Sequence, residues 1–136
     1  MKYIDSQNHT ETITADGDTY SPWFDVSFAN ELYAYIDTSE SGTPDDESLI
    51  ITVERYAPYR TSAPIAVLTF TTITFADLTV TEEKHALSPG GLGGGVGGIP
   101  SAENKLGMKV RFKYDMTVTT PVATVTVYST LYAKRN

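Results

Sequence analysis

Apolar and polar residues alternate with a period of two along much of the chain, most clearly between Leu106 and Ala133. Met108, Val110, Phe112, Tyr114 and Met116 alternate with Lys109, Arg111, Lys113 and Asp115. That period predicts a long strand with one apolar and one charged face. Thr119-Thr120-Pro121 interrupts it, because proline has no N–H to give a ladder. A second alternation follows, with Ala123, Val125, Val127, Ser129 and Leu131 on one face and Thr124, Thr126, Tyr128, Thr130 and Tyr132 on the other. Two such runs across a short turn predict a hairpin. At roughly 3.3 Å per residue each run spans most of a small domain, so the other elements are expected to pack on it.

Upstream the signals are shorter. Residues 1–19 are polar, with Asp16-Gly17-Asp18 a turn signal. Thr10, Thr12 and Thr14 alternate with Glu11, Ile13 and Ala15, a short edge strand. The first ten residues read as an arm, either a loose end or one laid on a neighbouring subunit. Ser21-Pro22-Trp23-Phe24 opens the folded body, and Trp23, Phe24 and Phe28 are expected to plug one end of the core. A sugar-stacking platform at Trp23 is the functional alternative. Glu31 to Asp37 sets Leu32, Ala34 and Ile36 against Tyr33 and Tyr35, a strand, although Phe28, Leu32 and Ile36 also fit a helical spacing of four. Leu49–Tyr56 and Ile65–Thr74 read as strands. Thr81 to Leu87 reads as a helical turn or two, with Thr81 as cap and Glu82 and Glu83 in the first turn.

Residues 88–100 are the low-complexity segment and contain 7 of the 10 glycines. The lysine and hydroxyl of a phosphate-binding GxxxxGK[ST] loop are missing, which excludes nucleotide binding of that kind. Glycine-rich chain is costly to order. Leu92, Val96 and Ile99 are nonetheless spaced through it, as expected of a loop that buries them on a partner.

Composition narrows the field. The 136 residues predict one domain, and the absence of cysteine rules out disulfides and thiolate metal sites. Met1 to Gln7 carries no apolar signal core, and no window approaches a membrane span, so the chain is expected to be made and kept without Sec-type export. Net charge is −7, unevenly spread: residues 1–47 hold 11 of the 17 acids and a single base, Lys2, while residues 48–136 hold 6 acids and 9 bases. Scattered solvated charge is one reading; contact between the acidic part of one subunit and the basic strand of another is the other. A polyanion needs a basic footprint, so nucleic acid is not an expected partner.

Catalytic patterns are absent. His9 and His85 stand in no metal-ligand spacing, and Asp45, Asp46 and Glu47 lack the alternate spacing of a Ca²⁺ loop. No GxSxG elbow supports a Ser-His-acid triad, and pairs of carboxylates have no specificity among so many acids. No metal, cofactor or catalytic residue is therefore expected.

Several features together resemble small β-sandwich proteins of tailed-phage virions. They are the turn Ala15-Asp16-Gly17-Asp18, the strand from Glu31 to Asp37 running into Ser41-Gly42-Thr43-Pro44, and the strand Leu49-Ile50-Ile51-Thr52-Val53-Glu54. The final pair, Leu106 to Phe112 and Pro121 to Val127, completes the pattern across residues 12–133. Tyr56-Ala57-Pro58-Tyr59-Arg60 and the glycine-rich loop depart from it. The resemblance implies a non-enzymatic particle component: a head decoration, head–tail or tail protein. The expectation is an all-β, single antiparallel sandwich, jelly-roll-like, with an arm or edge segment at 1–19 and the sandwich at 20–136. Its expected role is capsid decoration in the virion, against the major capsid protein or another virion protein, as a homo-oligomer with a trimer favoured. The candidate interface residues are Leu92, Val96, Ile99, Lys109, Arg111 and Lys113; neither nucleic acid nor membrane is an expected partner. The alternative is a phage tail or host- or carbohydrate-binding β-sandwich module.

Overall fold

The structure, a computed structural model, describes residues 3–26, 31–42, 48–56, 64–70, 72–74, 81–87, 109–118 and 123–135. All its regular elements are strands: β1 (Tyr3–Ile13), β2 (Gly17–Tyr20), β3 (Phe24–Asp25), β4 (Glu31–Gly42), β5 (Ser48–Tyr56), β6 (Ile65–Thr69), β7 (Ile73–Thr74), β8 (Thr81–Leu87), β9 (Lys109–Thr117) and β10 (Ala123–Arg135). One sheet has the order β1-β10-β4-β8; the other has β2-β9-β5-β6, with β3 also on β9 and β7 also on β5. Every pairing is antiparallel. Taken as single broken strands, β2 with β3 and β6 with β7 leave eight strands. Successive strands change sheet at every connection except β5 to β6. That interleaving of two four-stranded sheets is a jelly roll, as expected.

The core is built from the period-two pattern. Leu32, Ala34 and Ile36 of β4 and Val125, Val127, Leu131 and Ala133 of β10 turn inward from one sheet. Leu49, Ile51 and Val53 of β5 and Val110, Phe112, Tyr114 and Met116 of β9 turn inward from the other. Full burial of each large aliphatic or aromatic side chain contributes roughly 1.5–3 kcal/mol. Phe24 is buried with them, whereas Trp23 is only partly buried and Phe28 lies outside the described residues.

Four expectations change. The two long C-terminal runs are strands with the expected faces, but they do not form a hairpin: β9 and β10 belong to different sheets. Each has a largely apolar face, and the two faces meet across the sandwich. Residues 81–87 form β8, paired along β4 from Leu32↔Leu87 to Thr38↔Thr81, where a helical turn is expected. Local helix propensities differ by less than about 0.7 kcal/mol per residue, and a ladder outweighs them. The run from Ile65 to Thr74 is broken, with Phe70 buried between β6 and β7 and its N–H donated to Ile51 O at 2.9 Å. Finally, the polar N-terminal residues pair in register with β10 from Tyr3↔Arg135 to Ile13↔Val125, well beyond the short edge strand expected at residues 10–14.

The registers also set the two ends of the sandwich. Tyr3↔Arg135, Leu32↔Leu87 and Tyr56↔Lys109 all lie at one end. β8 thus finishes and β9 starts at the end where β1 begins and β10 finishes.

Candidate functional site

The outward face of β9 carries Lys109, Arg111 and Lys113, as the alternation predicts. Arg111 lies directly opposite Glu54 on β5, and its Nε donates to Glu54 Oε1 at 2.9 Å. Its guanidinium carbon sits 4.0 Å from the centre of the Tyr20 ring and 4.3 Å from that of Trp23. Trp23 in turn meets Tyr56 at 6.0 Å between ring centroids, tilted by 46°. A cation held between two aromatic faces and a carboxylate has both its charge and its planar surface satisfied. Lys113 Nζ is 3.7 Å from Asp18 Oδ2, while Lys109, at the start of β9, is exposed. The chain's own acids thus answer two of the three basic residues, including Asp18 from the acidic N-terminal part.

Sequence reasoning did not find Tyr20 and Glu54 as partners of Arg111. The signal lay in the register, which pairs Glu54 with Arg111 and Tyr20 with Lys113. Leu92, Val96, Ile99, Tyr59 and the 45–47 acids lie outside the described residues, as does the His85 side chain.

Asp18 and Asp115 face each other across β2 and β9. Partial burial pushes the Asp115 carboxyl above the ordinary carboxylate range, as do the charge and hydrogen bond of Asp18, with Lys113 opposing. Asp16 Oδ1 accepts the N–H of Val118 at 3.0 Å, closing the end of β9. Gly17 has φ +120°, so the turn between them suits glycine alone. No group of three or more His, Cys, Asp or Glu among the described residues is placed to hold a metal ion.

At the β1 rim, the inward-facing positions Gln7, His9 and Glu11 are polar. His9 Nε2 and Glu11 Oε2 are 2.6 Å apart, and the His9 ring stacks over Tyr114 at 6.2 Å. Tyr114 Oη and Ser129 Oγ share a hydrogen bond of 2.6 Å across the sandwich. Burial holds the Tyr114 phenol well above its usual range, with the Ser129 bond opposing. Glu11, His9 and Ser129 are the three residue types of a triad, but Ser129 is buried and bonded to Tyr114. An attacking hydroxyl must reach its substrate, and this one does not.

The outward face of β1, β10 and β4 is different in kind. Tyr128 and Tyr132 are 47% and 41% exposed. Tyr132 lies opposite Tyr33, and Thr130 lies opposite Tyr35. Ser6, Asn8, Thr10 and Thr12 of β1 extend the same face. Among its described side chains Asp37 alone is charged.

No family model matches the chain, and no curated relative matches it. Among solved structures, it is similar over 99% of its length to 13% of the chain of dimeric latent PorU from Porphyromonas gingivalis, at 7% identity and a TM-score of 0.53. It is similar over its full length to 92% of a subunit of Bacillus endospore appendages, described as a family of disulfide-linked pili, at 14% identity and a TM-score of 0.48. The Desmodium yellow mottle tymovirus protein covers 99% of it at 9% identity, over 89% of that chain, with a TM-score of 0.38. At these identities the likeness concerns the fold alone.

Proposed function

We propose that this chain is a non-enzymatic virion structural protein, a capsid decoration protein that stabilises the phage head shell through contacts between subunits. The observation that carries the assembly reading is the outward face of β1, β10 and β4. It presents four tyrosines among Thr, Ser and Asn with one described charge. Tyrosine is enriched at protein interfaces because a rigid, largely apolar ring ends in a hydroxyl that finds a partner. The jelly-roll order, an architecture used by viral capsid domains, and the pattern shared with tailed-phage sandwich proteins support the virion reading. The partner is the major capsid protein or another virion protein, and the assembling unit is a homo-oligomer, in the cyclic reading a trimer. Leu92, Val96 and Ile99 of the glycine-rich connection and the exposed Lys109 are assigned to the same assembly surfaces.

The test is co-sedimentation with expanded capsids that lack the protein. Saturable binding is expected, and Tyr128→Ser with Tyr132→Ser should abolish it while leaving the melting temperature within a degree or two. Capsids that take up none of the wild type would overturn the reading. The Tyr20–Arg111–Trp23–Tyr56 shelf favours a second reading, a tail or carbohydrate-binding module. Retention on polysaccharide gels that is lost in Trp23→Ala would support it.

A further inference from the structure

Each sheet of a sandwich has two edges, and an unguarded edge is a template for another strand. Three of the four edges here are interrupted, short or carry a lysine. The β2–β3 edge is broken by Ser21-Pro22-Trp23. The β6–β7 edge consists of five- and two-residue strands and carries a register shift against Val53 and Glu54. The β8 edge has seven residues, among them Glu82, Glu83 and Lys84. β1 differs from all of them. It runs for 11 residues, pairs with β10 without a break in register, and contains no proline, lysine or arginine, its acids being Asp5 and Glu11. Among the described residues no strand lies on its other side.

The side chains of β1 also suggest what occupies that edge. His9 and Glu11 are two residues apart on the inward face, 22% and 20% exposed at the open rim. A two-fold axis through residue 10, with β1 antiparallel to a second β1, places His9 of each copy opposite Glu11 of the other. The same axis sets Thr10 against Thr10 and Asn8 against Thr12 on the outward face, and cross-strand polar pairs of these kinds stabilise sheets. The segment is self-complementary about Thr10, as an isologous contact requires. We infer that β1 is a homotypic docking edge: two copies of this chain join β1 to β1 about Thr10, fusing their four-stranded sheets into one of eight. This contact is independent of the virion reading and of any cyclic contact made through β9.

The chain has no cysteine, so a single introduced thiol reports on one position. Directly opposed antiparallel residues lie about 4.5–5.5 Å apart at Cα, within disulfide reach. Thr10→Cys, oxidised mildly with oxidised glutathione, should run as a covalent dimer on a non-reducing gel. Thr117→Cys, exposed on β9 in the other sheet, serves as the collision control. Thr10→Lys, which opposes two cations at the axis, should halve the assembled mass in sedimentation velocity while the far-UV spectrum stays that of the wild type. Thr10 is exposed, so neither variant disturbs the core. A Thr10→Cys yield no greater than that of Thr117→Cys would overturn the inference, as would a mass unchanged by Thr10→Lys or a wild type monomeric at high micromolar concentration.

Discussion

Tyr114 is a phenol set in the apolar face of β9, and its tolerance there depends on Ser129. An unbonded buried hydroxyl costs about 1–3 kcal/mol, whereas removing both partners of a bond is close to neutral. Tyr114→Phe strands the buried Ser129 hydroxyl, so a loss of that size is expected, seen as a melting temperature several degrees lower. Tyr114→Phe combined with Ser129→Ala should recover most of it, and a double-mutant cycle measures the coupling. A double variant that melts as low as the two single losses summed would show that the bond contributes little beyond packing.

At the scale of elements, the kink between β2 and β3 shows how the fold tolerates proline at an edge. Ser21 N–H donates to Phe112 O at 3.0 Å, and Phe112 N–H donates in return to Ser21 Oγ at 2.8 Å. The hydroxyl thus takes the place of a backbone acceptor where the chain turns toward Pro22, and Ser21 Oγ also bonds Pro22 O at 2.9 Å. Ser21→Ala leaves the buried Phe112 N–H without its acceptor and is expected to cost about 1–3 kcal/mol. Ser21→Thr keeps the oxygen and should cost less. Chemical denaturation of the two variants checks this; equal losses would mean that volume, not the hydrogen bond, decides.

At the scale of the whole molecule, charge is arranged to satisfy the chain before it meets a neighbour. Arg111 and Lys113 lie against Glu54 and Asp18, so reversing them removes contacts of the fold together with any contact between copies. Lys109→Glu alone is the cleaner probe of the cyclic charge contact. It should weaken self-association at low ionic strength without lowering the melting temperature. The difference from wild type should fade near 1 M salt, where screening acts over about 3 Å. Sedimentation at two salt concentrations reads this, and no difference at low salt would leave assembly to the tyrosine face and the β1 edge.

The sequence by itself determined the strands of the core, their inward residues and the all-β class. Period-two alternation is a local property, written at Val110-Phe112-Tyr114-Met116 as plainly as at Leu32-Ala34-Ile36. It also placed Lys109, Arg111 and Lys113 on one face, and Tyr128 and Tyr132 on another. It did not determine which strand lies beside which. β9 and β10 read as a hairpin because alternation is the same whether two apolar faces lie side by side in one sheet or meet across a core. The first part of β1 and all of β8 were hidden for a related reason. Their residues favour an arm and a helical turn locally, and they become strands only because β10 and β4 offer ladders to pair with. The partners of Arg111 likewise come from 57 residues away at Glu54 and from across the Pro22 kink at Tyr20. Register between distant strands is a property of the packed sheets, and that is what the tertiary structure alone decided.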